Sequence, residues 1–223
     1  MIGKESSDCR RVGIDLAHDL SMYNQEACFS PQIVFVEGDH RPLMTHLEAG
    51  LRLYEDLLPK EEASLDVHAH VSRSRLEALY EGNEVLTSEG GTGWTIIAID
   101  ALEQINEHPL SRTAYVMSVA EISDCLRYVD AQTQTVTISP WERQIEIREQ
   151  LTLRGATKIT AVGLVETSRI GSTHDGMFPM HRLVRWVCVE RGSDYWGKYV
   201  REGPIDTTKW LMMHEQQLER LDT

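Results

Sequence analysis

Residues 22–39 read MYNQEACFSPQIVFVEGD, and the order of patterns on either side of their cysteine decides the fold class. Upstream, Val12, Leu16, Leu20 and Tyr23 recur at helical spacing, so Asp8 to Ala27 is predicted as an amphipathic helix that delivers Cys28 at its C-terminal side. Downstream, Gln32 to Glu37 is apolar and β-branched and stops at Gly38-Asp39, a strand followed by a turn. Working outward, helical periodicity covers Arg41 to Leu58 and, after Pro59, Glu61 to Glu81. Strands are expected at Glu84–Thr87, Trp94–Ile99 and Ala114–Val119, then a short helix at Ala120–Val129 and a strand at Thr133–Ile138. Pro140 opens a helix to about Arg154, Gly155 caps it, and Lys158 to Gly163 returns as a strand. Helices and strands alternate, with crossovers long enough for parallel pairing, so an α/β fold with a mostly parallel sheet is expected.

The composition narrows the function. The chain has 223 residues, 41% hydrophobic and 26% charged, which is ordinary for a folded soluble protein. A formal charge of −13 argues against a nucleic-acid partner, because phosphate backbones select clustered Lys and Arg. Arg10-Arg11 and the Arg182, Arg185 and Arg191 group are short basic clusters, read either as sites for an anionic ligand or as solvated faces. No apolar run is long enough to span a membrane, and no basic start leads into an apolar signal segment. Cys9, Cys28, Cys125 and Cys188 form no CxxC pair, so neither a disulfide framework nor a zinc site is indicated, and a reducing cytoplasm is the expected location.

Chemistry-bearing motifs are few. Glu89-Gly90-Gly91-Thr92-Gly93 lacks the spacing of a dinucleotide or phosphate loop and reads as a turn. His68-Ala69-His70 has no partner that completes a metal site. Residues 171–179 have loop composition, and His174-Asp175 within them is a candidate for acid/base work or an ordinary loop pair. Cys28 is read from its own chemistry in two ways, as a buried packing residue or as a nucleophile. A nucleophile needs neighbours that stabilise developing charge: the Asn24 and Gln25 amides are candidates, as are the backbone N–H groups of Cys28 and Phe29.

Residues 24–32, NQEACFSPQ, resemble the catalytic-cysteine motif of the LuxC-type acyl-CoA reductases, the reductase component of the bacterial luminescence fatty-acid reductase, within the aldehyde dehydrogenase superfamily. More distantly the stretch is similar to the Asn-x-Gly-Gln-x-Cys element of aldehyde dehydrogenases, with Asn24 and Cys28 in matching places and Gln25 shifted. Three further segments follow in the family's order: Pro109 to Val116, Thr133 to Val136, and His174 to Pro179 with Leu183 to Val187.

The resemblance implies a three-layer, aldehyde-dehydrogenase-like catalytic domain over residues 1–223. It implies that the Cys28 thiolate takes a long-chain acyl group from acyl-CoA or from an acylated partner synthetase, and that NADPH hydride then releases a fatty aldehyde. Asn24 and the Cys28 N–H would stabilise the oxyanion, while Gln25, Phe29, His174, Asp175 and Phe178 would line the substrate.

Family members are about twice this length, and their first half carries the NADPH-binding domain. Met1-Ile2-Gly3-Lys4 reads as the seam after that half, so the chain is expected to act as part of a split or longer enzyme with a complementing NADPH-binding domain. The superfamily's Glu-x-Phe-Gly-Pro carboxylate segment has no equivalent near Arg112 to Val116. Homo-oligomers are expected, with self-association through an exposed interdomain surface and with a helix at Thr207 to Leu221 as a contributor. Two other readings are an inactive binding protein that keeps the scaffold, and an acyl transferase or thioesterase that works without reduction.

Overall fold

A computed structural model describes residues 1–3, 9–60, 63–168 and 171–189. The chain divides into two compact units, Met1–Phe178 and Pro179–Thr223. In the second, the described part begins with the short helix α5, Pro179–Leu183. The predicted helix at Thr207 to Leu221 and the basic residue Arg191 lie outside the described residues.

The first unit opens with helix α1, Cys9–Ser21, whose buried face is Val12, Leu16, Ala17 and Leu20. The helix stops well short of Ala27, because Tyr23 (φ 53°), Asn24 (φ 52°) and Gln25 (φ 66°) turn left-handed. Three such residues in succession cannot continue a right-handed helix. Helix α2, Arg41–Leu57, carries Pro42 in its first turn, where the missing N–H costs nothing. It lies against α1 at close range through two glycines. A Cβ on Gly13 would come within 2.7 Å of the His46 carbonyl carbon, and one on Gly50 within 2.7 Å of the Ala17 Cβ. Helix α3, Leu65–Tyr80, is capped by Ser64, whose hydroxyl accepts from Val67 N.

The strands are β1 (Ile33–Glu37), β2 (Val85–Thr87), β3 (Thr95–Ile99), β4 (Thr113–Val119), β5 (Thr135–Ile138) and β6 (Lys158–Ala161). Their order is β2-β3-β4-β1 in one sheet and β5-β6 in the other. Pairing is parallel throughout except between β2 and β3. Ile2 forms parallel bridges to both Val36 and Ser139, so the segment Met1–Gly3 lies between β1 and β5 and stitches the sheets together. The segment expected as a helix at Ala120–Val129 is a 3-10 helix, Ile122–Tyr128, and helix α4, Gln144–Arg154, follows a 3-10 turn at Trp141–Arg143.

Strand alternation sends successive side chains to opposite faces, so the central strands feed two cores. Val34, Val36, Ile96, Ala98, Ala114 and Val116 pack with α1 and α2. Phe35, Ile97, Ile99, Tyr115 and Met117 pack on the other side, with Ala78 of α3, Cys125 and Leu126 of the 3-10 helix, and Ile147 and Leu151 of α4. The result is the expected three layers, helices on both faces of a mostly parallel sheet. Glu37 ties the end of β1 to the far layer: it pairs with Arg143 and accepts from Ile122 N at 3.2 Å. Among the described residues no helix is long and apolar enough to cross a membrane.

Candidate active site around Cys28

The loop between α1 and β1 is built by two amides, one buried and one partly exposed. Gln25 is 1% exposed. Its Nε2 donates to the carbonyls of Pro31 and Thr113, both at 2.6 Å, and its Oε1 accepts from Thr113 N at 2.8 Å. Every polar atom of this side chain is thus spent on the backbone, which corrects the expectation that Gln25 binds substrate: it is a bracket that fixes the loop to the start of β4. Asn24 has a similar anchor, since its Oδ1 accepts from Arg112 Nε (3.1 Å) and Nη2 (2.7 Å). Arginine only donates, so this contact assigns the amide orientation and leaves the Asn24 NH2 as the end not held by Arg112.

Arg112 itself is 1% exposed and also donates to Leu58 O at 2.8 Å. It ends a second left-handed run, Leu110, Ser111 and Arg112, with φ between 54° and 61°. Lys60 closes the same turn from the far side, donating to Ser111 Oγ and, at 2.9 Å, to Thr92 O. Burial first, then the nearby Arg112 and Arg75 charges, push the Lys60 amine down to about 8.

Cys28 follows these brackets in a tight turn. Ser30 N donates to Ala27 O at 2.9 Å, so Cys28 and Phe29 occupy the central positions and their N–H groups are outside the turn's own bond. The Cys28 side chain is exposed, which excludes the packing reading. Cys28 lines a cleft of about 510 Å³. Phe29, Ser30, Gln32, Phe35, Tyr128 and Gln134 contribute other parts of its wall. Phe29 is steadied edge-on by Tyr23 at 5.8 Å, with the Lys158 ammonium 5.7 Å from its ring centre.

Of the other residues singled out in the sequence, Asp175 reaches this cleft indirectly: it accepts from Gln134 Nε2 and pairs with His174 Nδ1 at 2.9 Å. His174 and Phe178 are outside the cleft lining. The structure adds two residues that pattern reading passed over. Ser30 carries a buried hydroxyl with no partner among the described residues, and Tyr128 stacks on Phe35 at 5.3 Å in the cleft wall. Ser30 was within reach because it stands in the cysteine motif, whereas Tyr128 carries no local signal. His108, which reaches Gln32 just ahead of β1, is not available as a base. Leu110 N donates to its Nδ1 at 3.0 Å, its Nε2 lies 3.2 Å from Gln32 O, and burial pushes it down to about 4.

An exposed cysteine in a cleft wall, on the loop ahead of the first strand of a mostly parallel sheet with helices on both faces, makes this a thiol-bearing protein of the aldehyde dehydrogenase fold. Solved structures agree on the fold. A gamma-glutamyl-gamma-aminobutyraldehyde dehydrogenase from Burkholderia cenocepacia J2315 matches with TM-score 0.60 and 14% identity over 77% of this chain and 38% of that one. An NAD-dependent benzaldehyde dehydrogenase from Corynebacterium glutamicum matches with TM-score 0.57 and 11% identity over 74% of this chain and 41% of that one.

Within that class the chain belongs to the acyl-CoA reductase (LuxC) family, whose model matches residues 1–186. The long-chain acyl-protein thioester reductase of Vibrio harveyi is 35% identical over 207 residues, 92% of this chain and 43% of the relative. A second such reductase, from Photobacterium leiognathi, is 36% identical over the same shares. The chain therefore spans less than half the length of these relatives.

Proposed function

We propose that this chain carries the acyl-accepting half of a long-chain acyl-thioester reductase, with Cys28 as the nucleophile. The observation that carries the reading is the position of Cys28: exposed, central in a tight turn and walled into a cleft, in a chain 35% identical to a named thioester reductase. The thiolate attacks the thioester carbonyl, a new C–S bond forms at Cys28 Sγ, and the original C–S bond breaks to release CoA or the carrier thiol. The Cys28 and Phe29 N–H groups and the Asn24 NH2 are the donors assigned to the oxyanion. The apolar walls from Phe29, Phe35 and Tyr128 suit an acyl chain.

A nicotinamide nucleotide supplies hydride when bound in such reductases, and NADPH is the donor we assign. The segment Pro109 to Thr113 offers it no carboxylate: Ser111 is held by Lys60, Arg112 by Asn24 and Leu58, and Thr113 by Gln25. No hydride step is therefore assigned to the described residues.

Intact-mass measurement after incubation with a long-chain acyl-CoA tests the acylation. One acyl adduct per chain, lost in Cys28→Ala and kept when Cys9 and Cys188 are replaced, is expected. An adduct that survives Cys28→Ala, or none in a folded chain, sinks the reading. Acylation followed by release of free acid would instead favour a thioesterase.

A further inference from the structure

The segment after α2 and the turn ahead of β4 hold each other from both sides. Arg112 reaches back to donate to Leu58 O at 2.8 Å, and Lys60 donates to Ser111 at its Oγ and, at 3.4 Å, at its carbonyl. Lys60 also donates to Thr92 O at 2.9 Å, and the Thr92 hydroxyl lies 2.6 Å from His68 Nδ1 on α3. An ammonium carries three N–H groups and no lone pair, so these three acceptors occupy all of it. Three cations gather here: Lys60, Arg112 and Arg75 of α3. Glu26 of the cysteine loop acts by charge on Lys60 and Glu55 of α2 on Arg112, yet among the described residues neither carboxylate forms an ion pair with them. The clasp continues into the cysteine motif, because the same Arg112 forks onto Asn24 Oδ1 and the next residue, Thr113, is bracketed by Gln25.

We propose that Lys60 is a positioning residue for the Cys28 site: by holding Ser111 it sets the left-handed turn from which Arg112 orients the Asn24 amide. Lys60 is outside the cleft lining, so its influence on the thiol chemistry passes through Arg112 and Asn24. An ammonium set beside two guanidinium groups in a half-buried site is unfavourable, and a residue that only filled the space would do so better without the charge. What the charge adds is strength, since a bond from an ionised donor is about twice as strong as a neutral one. Loss of the proton therefore weakens the clasp: the neutral amine keeps two N–H groups, and its lone pair accepts from the Ser111 hydroxyl, which reverses that bond. Burial and the two neighbouring cations bring this loss down to about 8. The consequence for rate rests on Cys28 as the acyl acceptor; the clasp itself does not.

The Asn24 side-chain carboxamide carbon, assigned with Asn24→Ala, is followed by 13C NMR in the full chain while pH is raised through the Lys60 range. A shift with its midpoint at about 8 is expected in the native chain. It should be absent in Lys60→Met, which cannot ionise, and in Lys60→Arg, whose guanidinium keeps its proton throughout. A native signal that does not move, or a midpoint that persists in either variant, would overturn the proposal; Lys60→Arg carries the comparison if Lys60→Met does not fold. Single-turnover acylation by a long-chain acyl-CoA gives the second reading. At neutral pH Lys60→Met should be slower by about tenfold, as a misplaced catalytic donor requires. Lys60→Met combined with Asn24→Ala should be no slower than Asn24→Ala alone, because both changes break one path. Losses that multiply, or a Lys60→Met rate equal to the native one, would also overturn it. The carbon shift is read without substrate, so a native chain that forms no adduct counts against Cys28 as the nucleophile and leaves the Lys60 result standing.

Discussion

Arg112 and Asn24 meet from two facing runs of left-handed backbone, 88 residues apart in sequence, through a forked contact of 3.1 and 2.7 Å. Positive φ at non-glycine residues is unfavourable, so each run holds only because its side chains are fixed from outside. Arg112→Ala removes the donors to Asn24 Oδ1 and Leu58 O, two part-buried bonds, and leaves a void where the fully buried guanidinium sat. A loss of about 3 kcal/mol in urea unfolding is expected. Arg112→Lys keeps the charge and loses the fork, so it should recover less than half of that loss.

Gln25 separates a bracket from a substrate ligand. Its amide makes three backbone bonds in a buried setting, so Gln25→Ala should cost about 2–4 kcal/mol. Gln25→Glu should cost at least as much, because a carboxylate facing the Pro31 and Thr113 carbonyls has nothing to donate. A substrate ligand would show the reverse: stability kept in urea titration and acylation lost.

Asn24→Asp divides the two ends of that side chain. The carboxylate still accepts from Arg112, so the urea midpoint should hold to within about 1 kcal/mol. The NH2 is gone, and if it serves the oxyanion the rate of Cys28 acylation should fall on the order of 10²-fold. An unchanged single-turnover rate would remove Asn24 from the chemistry and leave it a positioning residue.

The alternation of helices and strands was readable because each element carries its own period: Ile33–Glu37 and Thr95–Ile99 are β-branched runs, and Arg41–Leu57 repeats its apolar positions on one face. Cys28 was readable through its motif. The left-handed runs were not, because Tyr23, Asn24, Leu110 and Arg112 carry no glycine signal and their geometry is imposed by partners far along the chain. Nor was the stitch at Ile2, which belongs to two sheets at once and has too few residues to show a period. The same limit hid the fate of Gln25, whose three bonds are made by backbone atoms of Pro31 and Thr113.

The α1/α2 crossing sets a packing prediction. A methyl at Gly13 meets backbone atoms of His46 and Leu47 at 2.7 and 2.8 Å, where no side-chain rotation can relieve it. Gly50→Ala meets the Ala17 Cβ and the Gly13 carbonyl instead. Each substitution should cost about 1–3 kcal/mol by overpacking, against the gain of several tenths that alanine normally brings to a helix interior. Gly13→Ala should be the worse of the two, and thermal or urea midpoints order them directly.

Asp19 gives the pH dependence its sign. It is fully buried on α1 and accepts from Gly163 N at 2.7 Å and Val165 N at 3.3 Å, tying the helix to the turn after β6. Burial outweighs those bonds and pushes its carboxyl up to about 6. A folded value above the unfolded one means that the stabilisation is complete below about pH 4 and is lost as pH rises through 6, a change of about 2–3 kcal/mol. His108 runs the other way: pushed down to about 4, it contributes fully above pH 6.5 and loses that contribution as pH falls through 4. The two slopes oppose each other between pH 4 and 6, so the native chain should show a shallow profile there. Asp19→Asn removes one of them. Its urea stability should then climb with pH across that window, and subtracting the two profiles cancels the histidine and leaves the falling curve of Asp19. A difference that stays flat from pH 4 to 7 would mean that the carboxyl is ionised in the fold and held by the two N–H groups alone.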